Sequence, residues 1–330
     1  MELTGQATYR RDFERAAMRA ILAPSVHNTQ PWRFVLRPSG LEVLADPERR
    51  LAVLDPTGRQ LHLSVGCALF NARVSLAASG YATTILRSPE PTRPDLLATV
   101  MIVDQDQPDP ELAVLDAAID LRQTNRRRFN GVEVPEDLVA LLVAAAAAES
   151  SLMVAVRTAD DRAALSQIWL RADGMLTVDP AYRAELRAWT SNAPGRRDGV
   201  PARTVPHVDA GSGDDVPIRD FDSAGMGWLP TETHSSLDQC LLLLGNAEEN
   251  SAAWLKSGEA LERVWLEITR AGYVASLFTQ AIEVAPLRAQ LREDLRLVMH
   301  PSVLLRVGQA PVTPSTSRRA ISDVFTDLTE

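Results

Sequence analysis

The chain has little that would suit a disulfide scaffold, a nucleic-acid binder or a membrane protein. Two cysteines, Cys67 and Cys240, are all it holds in 330 residues. That number excludes a disulfide framework, and neither has neighbours spaced as metal ligands, so both are expected as reduced core thiols. Positive charge is short: 34 Lys+Arg stand against 43 Asp+Glu, a net charge of −9. Neutralising phosphates along a nucleic acid needs a basic face, so no nucleic-acid partner is expected. The segment Met1 to Arg15 is charged and lacks an apolar h-region, which argues against a secretory signal. No run reads as long enough to span a membrane, and Leu241–Leu244 reads as a short buried strand. The expectation is a cytoplasmic protein without a membrane partner. The five histidines, at positions 27, 62, 207, 234 and 300, show no H-x-x-x-H spacing, so no metal site is expected. Gly225-Met226-Gly227 lacks the dinucleotide fingerprint and follows no strand. Ser64-Val65-Gly66 is not a nucleophile elbow.

What is present is a globular composition, 45% hydrophobic, on a chain about twice a typical domain in length. Helical spacing runs from Tyr9 to Leu22 through Phe13, Ala16, Ala17, Ala20 and Ile21. Strand-like runs at 32–36 and 41–44 flank Pro38-Ser39-Gly40, a hairpin signal. A long apolar-rich helix is expected over 57–78, capped by Gly80, then strands over 83–86 and 97–103. A polar linker with two prolines, 104–110, leads to a helix over 110–121. Further helices are expected over 135–148, where Pro135 and the acidic Glu136-Asp137 suit a helix start, and over 161–172 and 180–190. Strands are expected over 152–156 and 238–244, a long helix over 248–271, a helix over 286–297 and a strand over 302–307. A polar tail should follow.

The two long helices repeat. Aligning 63–81 with 255–273, a constant shift of 192, makes six of nineteen positions identical: Leu63/Leu255, Gly66/Gly258, Ala68/Ala260, Leu69/Leu261, Gly80/Gly272 and Tyr81/Tyr273. A paired repeat, each copy followed by a strand-like run, points to a duplicated unit. Between 194 and 230 periodicity collapses, with five prolines and six glycines. Loops of that length in a compact protein are functional lids or disordered. The apolar Phe221, Met226, Trp228 and Leu229 near its end suit a lid better than a solvated linker.

Two polar constellations carry chemistry. Ala23-Pro24-Ser25-Val26-His27-Asn28-Thr29-Gln30-Pro31-Trp32 links a helix to a strand. Its small polar side chains beside a rigid proline suit a planar heteroaromatic ligand as well as an ordinary polar loop, and Trp32 can anchor the strand in the core. Arg122-Gln123-Thr124-Asn125-Arg126-Arg127-Arg128 is either a solvated basic surface or a phosphate cradle, with arginine forks and neutral donors from Thr124 and Asn125.

The pattern P-S-x-x-N-x-Q-P-W-x-F, met at Pro24, Ser25, Asn28, Gln30, Pro31, Trp32 and Phe34, resembles the flavin-contacting loop of the nitroreductase family, FMN-dependent NAD(P)H oxidoreductases. Arg122, Thr124 and Arg126 resemble that family's phosphate motif R-x-S-x-[KR], with Thr for Ser. Arg318 and Arg319 stand where the family carries a second basic clamp. The resemblance implies an α+β nitroreductase-like fold, internally duplicated so that one chain resembles the family's homodimer. Its halves would be 1–108, with the Gln-Pro-Trp loop, and 109–330, with the phosphate arginines and a lid over 194–230. Each half lacks what the other has: Tyr9-Arg10-Arg11-Asp12 does not fit the phosphate motif, and Ala144 to Met153 does not fit the loop. One FMN per chain is therefore expected, contacted by Pro24, Ser25, His27, Asn28, Arg122, Thr124, Arg126, Thr279, Gln280 and Arg318. Thr279-Gln280 stand where the family commonly has Glu-Gly, which is a departure. The implied activity is hydride transfer from NAD(P)H to flavin N5 and electron delivery to a small-molecule acceptor, a nitroaromatic or quinone. No separate catalytic side chain is assigned. The combination of one chain, one site and a long insertion resembles the subgroup named after the mycobacterial Acg protein, associated with dormancy. That implies a rival role, flavin storage or sensing behind a closed lid. The unit would be a pseudo-dimeric monomer or a further homo-oligomer.

Overall fold

Phenylalanine and alanine at helical spacing build the first long element. Phe13, Ala16, Ala17 and Ala20 are all fully buried along α1 (Arg10–Ala20), so one stripe of the helix faces the core. The computed structural model describes residues 6–88, 90–103, 106–190, 193, 195–206, 216–222, 227, 229 and 239–329. After α1, β1 (Trp32–Arg37) and β2 (Gly40–Ala45) form the expected hairpin, turned by Pro38-Ser39. α2 (Arg59–Ala78), β3 (Ala82–Arg87) and β4 (Leu96–Val103) follow. The helix expected over 110–121 is broken into α3 (Pro110–Ala113) and α4 (Asp116–Leu121). Next come α5 (Glu136–Ala148), β5 (Leu152–Ala155), α6 (Ala159–Val178) and α7 (Pro180–Trp189). The remaining elements are β6 (Cys240–Asn246), α8 (Ser251–Arg270), β7 (Val274–Phe278), α9 (Gln280–Glu283), α10 (Ala285–Asp294), β8 (His300–Gly308) and β9 (Phe325–Asp327).

The strands make two sheets in an α+β arrangement. The first has the order β3-β4-β2-β1-β9 and the second, read from the matching edge, β7-β8-β6-β5. Neighbours are antiparallel except β1 and β9, which run parallel. The tail therefore departs from expectation. It returns to the first sheet and pairs Phe325 with Phe34. A three-residue strand with one apolar member gives no periodic signal; its partner lies far away in sequence.

α2 and α8 cross at their glycines. A Cβ on Gly66 would collide with the Leu255 carbonyl and the Gly258 Cα; one on Gly258 would collide with the Leu63 carbonyl and the Gly66 Cα. The contact is reciprocal at the shift of 192, the form of an isologous, two-fold-related contact. The two helices also end alike. Gly80 (φ 91°) and Gly272 (φ 79°) are left-handed. Gly80 and Tyr81 donate to Ala77 O and Leu76 O, and Gly272 and Tyr273 to Thr269 O and Ile268 O, all at 3.0 Å. That is a C-terminal cap of the Schellman kind. One continuous core takes Leu41 and Val43 from the first sheet, Leu242 and Leu244 from the second, and both long helices.

One sequence expectation needs correcting. α2, at 20 residues, is long and apolar enough by length and composition to cross a membrane. Its burial against α8 gives that composition a different cause: a helix enclosed on nearly all sides reads as apolar all round.

Candidate functional site

The loop after α1 is held in an unusual backbone conformation. His27 (φ 47°), Asn28 (φ 54°) and Gln30 (φ 52°) are all left-handed, a region that non-glycine residues seldom occupy and that clusters at functional sites. Side chains hold it there. Ser25 Oγ accepts from Gln30 N (2.9 Å), and Ser64 Oγ of α2 accepts from Val26 N (3.1 Å). Asn28 Nδ2 donates to Gly199 O (2.9 Å) and Ser317 O (3.2 Å). Gln30 is fully buried; its Nε2 donates to Arg197 O and its Oε1 accepts from Arg319 N. The polar residues of the motif thus tie the loop to 197–199 and to the tail.

A cleft of about 260 Å³ opens beside this loop. Pro24, Ser25, Asn28, Arg122, Thr124, Arg126 and Arg318 all line it. Arg122 Nη2 and Arg318 Nη2 donate to the same carbonyl, Leu22 O, at 3.0 and 3.1 Å. The Arg122 guanidinium also lies over the Trp265 ring, 4.7 Å from its centroid. Thr124 is set by a bridge to Ala275. Asn125 is consumed by structure, its Nδ2 donating to Pro311 O at 2.8 Å. Arg126 has no hydrogen-bond acceptor among the described residues; its guanidinium lies 4.9 Å from the Phe221 ring centroid. Burial and the neighbouring Arg219 bring its pKa down to about 10, and burial and Arg122 bring Arg318 down to about 9. Arginines crowded in this way are short of negative charge. Asp120 lines the cleft but is held by Arg19 at 2.7 Å.

A second cavity, about 100 Å³, adjoins the first, and Pro24, Ser25, Thr124 and Arg126 line both. His27 and Thr279 join there with Gln60, Ser64 and Cys67 of α2, Leu261 of α8, and Phe221. His27 meets Phe221 edge to face, 5.3 Å between centroids. Both ring nitrogens of His27 are buried without a partner among the described residues. Burial, then Arg219 and Arg126, hold its pKa well below the usual histidine value, so the ring is neutral. Arg219 ties the far wall together, donating to Tyr182 Oη, to Thr279 Oγ1 (2.9 Å) and to Glu283 Oε1 (2.5 Å).

Two expected contacts do not reach these cavities. Gln280 is buried at the start of α9, and its Nε2 donates to Pro217 O at 2.9 Å. It props the 217–219 segment and lines neither cavity. Arg319 turns to Gln30 O (3.2 Å) and Asp46 (3.6 Å), away from the role of second clamp. Of the apolar cluster near 221–229, Phe221 is buried in the second cavity's wall, and Leu229 is buried and bonded to Val205 O. Met226 and Trp228 lie outside the described residues. Gln60, Ser64 and Cys67 escaped the sequence reading. Their signal was a polar stripe at i, i+4 and i+7 on an otherwise apolar helix. Arg219, in a segment without periodicity, gave none.

No family model matches the chain. A protein of Mycobacterium tuberculosis (strain ATCC 25618 / H37Rv), "Putative NAD(P)H nitroreductase Rv3131", is 36% identical over 312 residues, covering 92% of this chain and 88% of the relative. A second from the same strain, "Putative NAD(P)H nitroreductase acg", is 31% identical over 317 residues, covering 94% of each. Among solved structures, a BluB-like flavoprotein from Clostridium difficile 630 aligns with a TM-score of 0.44 at 13% identity, covering 65% of this chain and 99% of that one. With relatives this similar along nearly its whole length, the chain belongs to the nitroreductase family.

Proposed function

We propose that the chain is an FMN-binding oxidoreductase that draws on NAD(P)H and reduces small acceptors such as nitroaromatics or quinones. One observation carries the cofactor: Arg122, Arg126, Arg318 and Thr124 converge on a cleft that continues into a second cavity, and among the described residues Arg126 has no anionic partner. A basic pocket leading to a slot walled by proline, a neutral imidazole and apolar side chains fits a planar ligand with a phosphate tail. The names of the two relatives favour NAD(P)H as the donor. FMN, when bound, supplies the hydride and electron transfer. The chain's part is to bind and orient. The arginines and Thr124 would hold the phosphate. Pro24, Ser25 and neutral His27 would wall the ring, and Thr279 would stand at its edge in the Arg219 and Glu283 network.

The same reading takes residues 1–108 and 109–330 as two nitroreductase-like units fused in one chain. The matching orders β3-β4-β2-β1 and β7-β8-β6-β5 and the reciprocal Gly66–Gly258 contact support it. A second reading, a store or sensor with slow turnover, has its own support. Phe221 stands in the second cavity's wall between His27 and Arg126, where it would cover the ring. Purified protein should be yellow, release FMN on denaturation, and bleach when NAD(P)H is added without oxygen. Absence of flavin after reconstitution would overturn the cofactor. Bound flavin that NAD(P)H cannot reduce would favour the store.

A further inference from the structure

Beneath the arginine cleft lies a carboxylate that the cofactor reading does not use. Glu262 of α8 is fully buried, and no well-formed hydrogen bond reaches either of its oxygens among the described residues, although the Asn71 side chain is directed at them. Arg122 Nε lies 3.4 Å from Glu262 Oε1 and is itself without a hydrogen bond there. Arg318 from the tail and Asn71 and Cys67 from α2 also face Glu262. The other carboxylates nearby are engaged. Asp120 is held by Arg19, and Glu149 and Glu259 by Arg73, Arg87 and Arg263.

A buried carboxylate is stable as an anion only when its lone pairs are bonded and its charge is matched. Glu262 meets neither condition fully. Ionised, it competes with any other anion for Arg122. Protonated, it leaves that guanidinium to the cleft. We propose that Glu262 is a proton-linked selector for the phosphate group in this cleft, taking up a proton as the phosphate engages Arg122 and Arg318. The proposal rests on the FMN reading above. Burial already pushes Glu262 up to about 7, against the pull of Arg122, Asn71 and Arg318. A phosphate on the same arginines adds like charge and pushes it higher. The sign follows from linkage. The bound pKa exceeds the free one, so the Glu262 contribution to affinity is fully present below about pH 7 and is lost as pH rises through the bound value.

Calorimetry of FMN and of riboflavin in two buffers of different ionisation enthalpy, at about pH 7.5, tests this. FMN should bind with net proton uptake, and riboflavin, which lacks the phosphate, without it. The phosphate cannot produce that sign itself, because arginines lower a phosphate's pKa and cause proton release. Glu262→Gln should abolish the uptake. It should also tighten FMN at about pH 8, by roughly fivefold to tenfold from a free value of about 7, with riboflavin unchanged. FMN binding to the wild type without proton uptake overturns the selector and leaves the cofactor standing. Persistence of uptake in Glu262→Gln overturns it also. Failure of both FMN and riboflavin to bind overturns the cofactor reading itself. If the variant does not fold, the wild-type comparison of the two flavins decides alone.

Discussion

Arg87 grips Glu259 through two hydrogen bonds, Nε to Oε1 at 2.7 Å and Nη2 to Oε2 at 2.8 Å. Shifted by 192, these positions correspond to Thr279 and Cys67, two walls of the second cavity. Around them Arg73 joins Glu259 to Glu149 at 2.6 Å each, and Arg263 joins Glu149 to Glu111 at 3.0 Å each. Where Cys67 and Thr279 supply small neutral side chains, the positions 192 residues away hold an ionic cluster.

The first prediction is therefore one FMN per chain. Flavin released by denaturation should match protein at a ratio near one. A ratio near two would show that the ionic position also accepts flavin, and release of FAD would show that the phosphate end was misread. The cluster should act as a strut. Glu259 is fully buried, so Glu259→Ala, which strands Arg87 and leaves Arg73 only Glu149, should destabilise by roughly 3–5 kcal/mol. The double variant with Arg87→Ala should lose less than the sum of the single losses, because the two side chains share one interaction. Strict additivity in urea unfolding would remove the strut.

The second prediction contrasts two arginines. Arg122→Ala should weaken FMN by about tenfold to a hundredfold, since a charge-assisted bond is worth roughly 1.5–3 kcal/mol. Arg10 is 56% exposed and pairs with Asp327 at 2.5 Å, outside the residues lining either cavity. Arg10→Ala should leave FMN affinity unchanged. Added FMN should raise the Tm of the wild type, and of the Arg10 variant equally, but less in the Arg122 variant. Equal behaviour of the two variants would remove Arg122 from the site.

These side chains differ in how far sequence could reveal them. Arg122, Thr124 and Arg126 sit in one short segment, so a local pattern brings them together, and the cleft does gather them. Pro24 and Ser25 are fixed by the loop's own backbone and were equally legible. The family resemblance reaches the stretch that holds Thr279 but not the direction in which its neighbour points. Gln280 begins α9 and turns to Pro217, a contact set by where the 217–219 segment lies. Arg219 owes its place to Tyr182, Thr279 and Glu283, all distant in sequence. Glu262 reads as an ordinary polar position of a long helix, and only the packing of α4's end and the tail against α8 makes it a buried charge. The hairpin, the long helices and their glycine caps are local and were legible. β9 is not local: its register depends on β1, nearly the whole chain away.

The third prediction concerns the helix crossing. Gly66→Ala drives a methyl into the Leu255 carbonyl, and backbone there cannot give way as a flexible side chain could. Overpacking of this kind costs about 1–3 kcal/mol or more. Gly80→Ala is the control. Its new Cβ would meet nothing within 4 Å, and only its φ of 91° resists, a cost of about 1–2 kcal/mol. Leu63 and Cys67 of α2 line the second cavity with Leu261 of α8, so Gly66→Ala should also weaken FMN, whereas Gly80→Ala should not. A Gly66→Ala protein with wild-type affinity for FMN would mean that the crossing does not set the cavity's width.

The last prediction separates enzyme from store. Phe221 is buried with Tyr182, Leu186, Val200 and Val205, and its ring also meets His27 and Arg126. On the storage reading, a side chain packed on both a hydrophobic cluster and the cavity wall would act as a cover that opens only by losing both contacts. The wild type should therefore be reduced slowly by NAD(P)H. Replacing Phe221–Leu229 with a short Gly/Ser bridge should speed reduction while flavin stays bound. Phe221→Ala should do so in part, because it removes the ring but leaves the segment tied by Leu229 N to Val205 O at 3.0 Å. Its loss also frees Arg126 from the aromatic face, a contact worth about 0.5–1 kcal/mol where exposed and more where desolvated. FMN affinity should then hold steady or rise, as Arg126 becomes available to the phosphate. A cover that opens on the microsecond-to-millisecond scale would instead permit turnover in the intact protein. Stopped-flow reduction without oxygen distinguishes these cases. Brisk reduction of the wild type, unchanged by the Gly/Ser bridge, would show that Phe221 is a packing residue and that the storage reading is wrong.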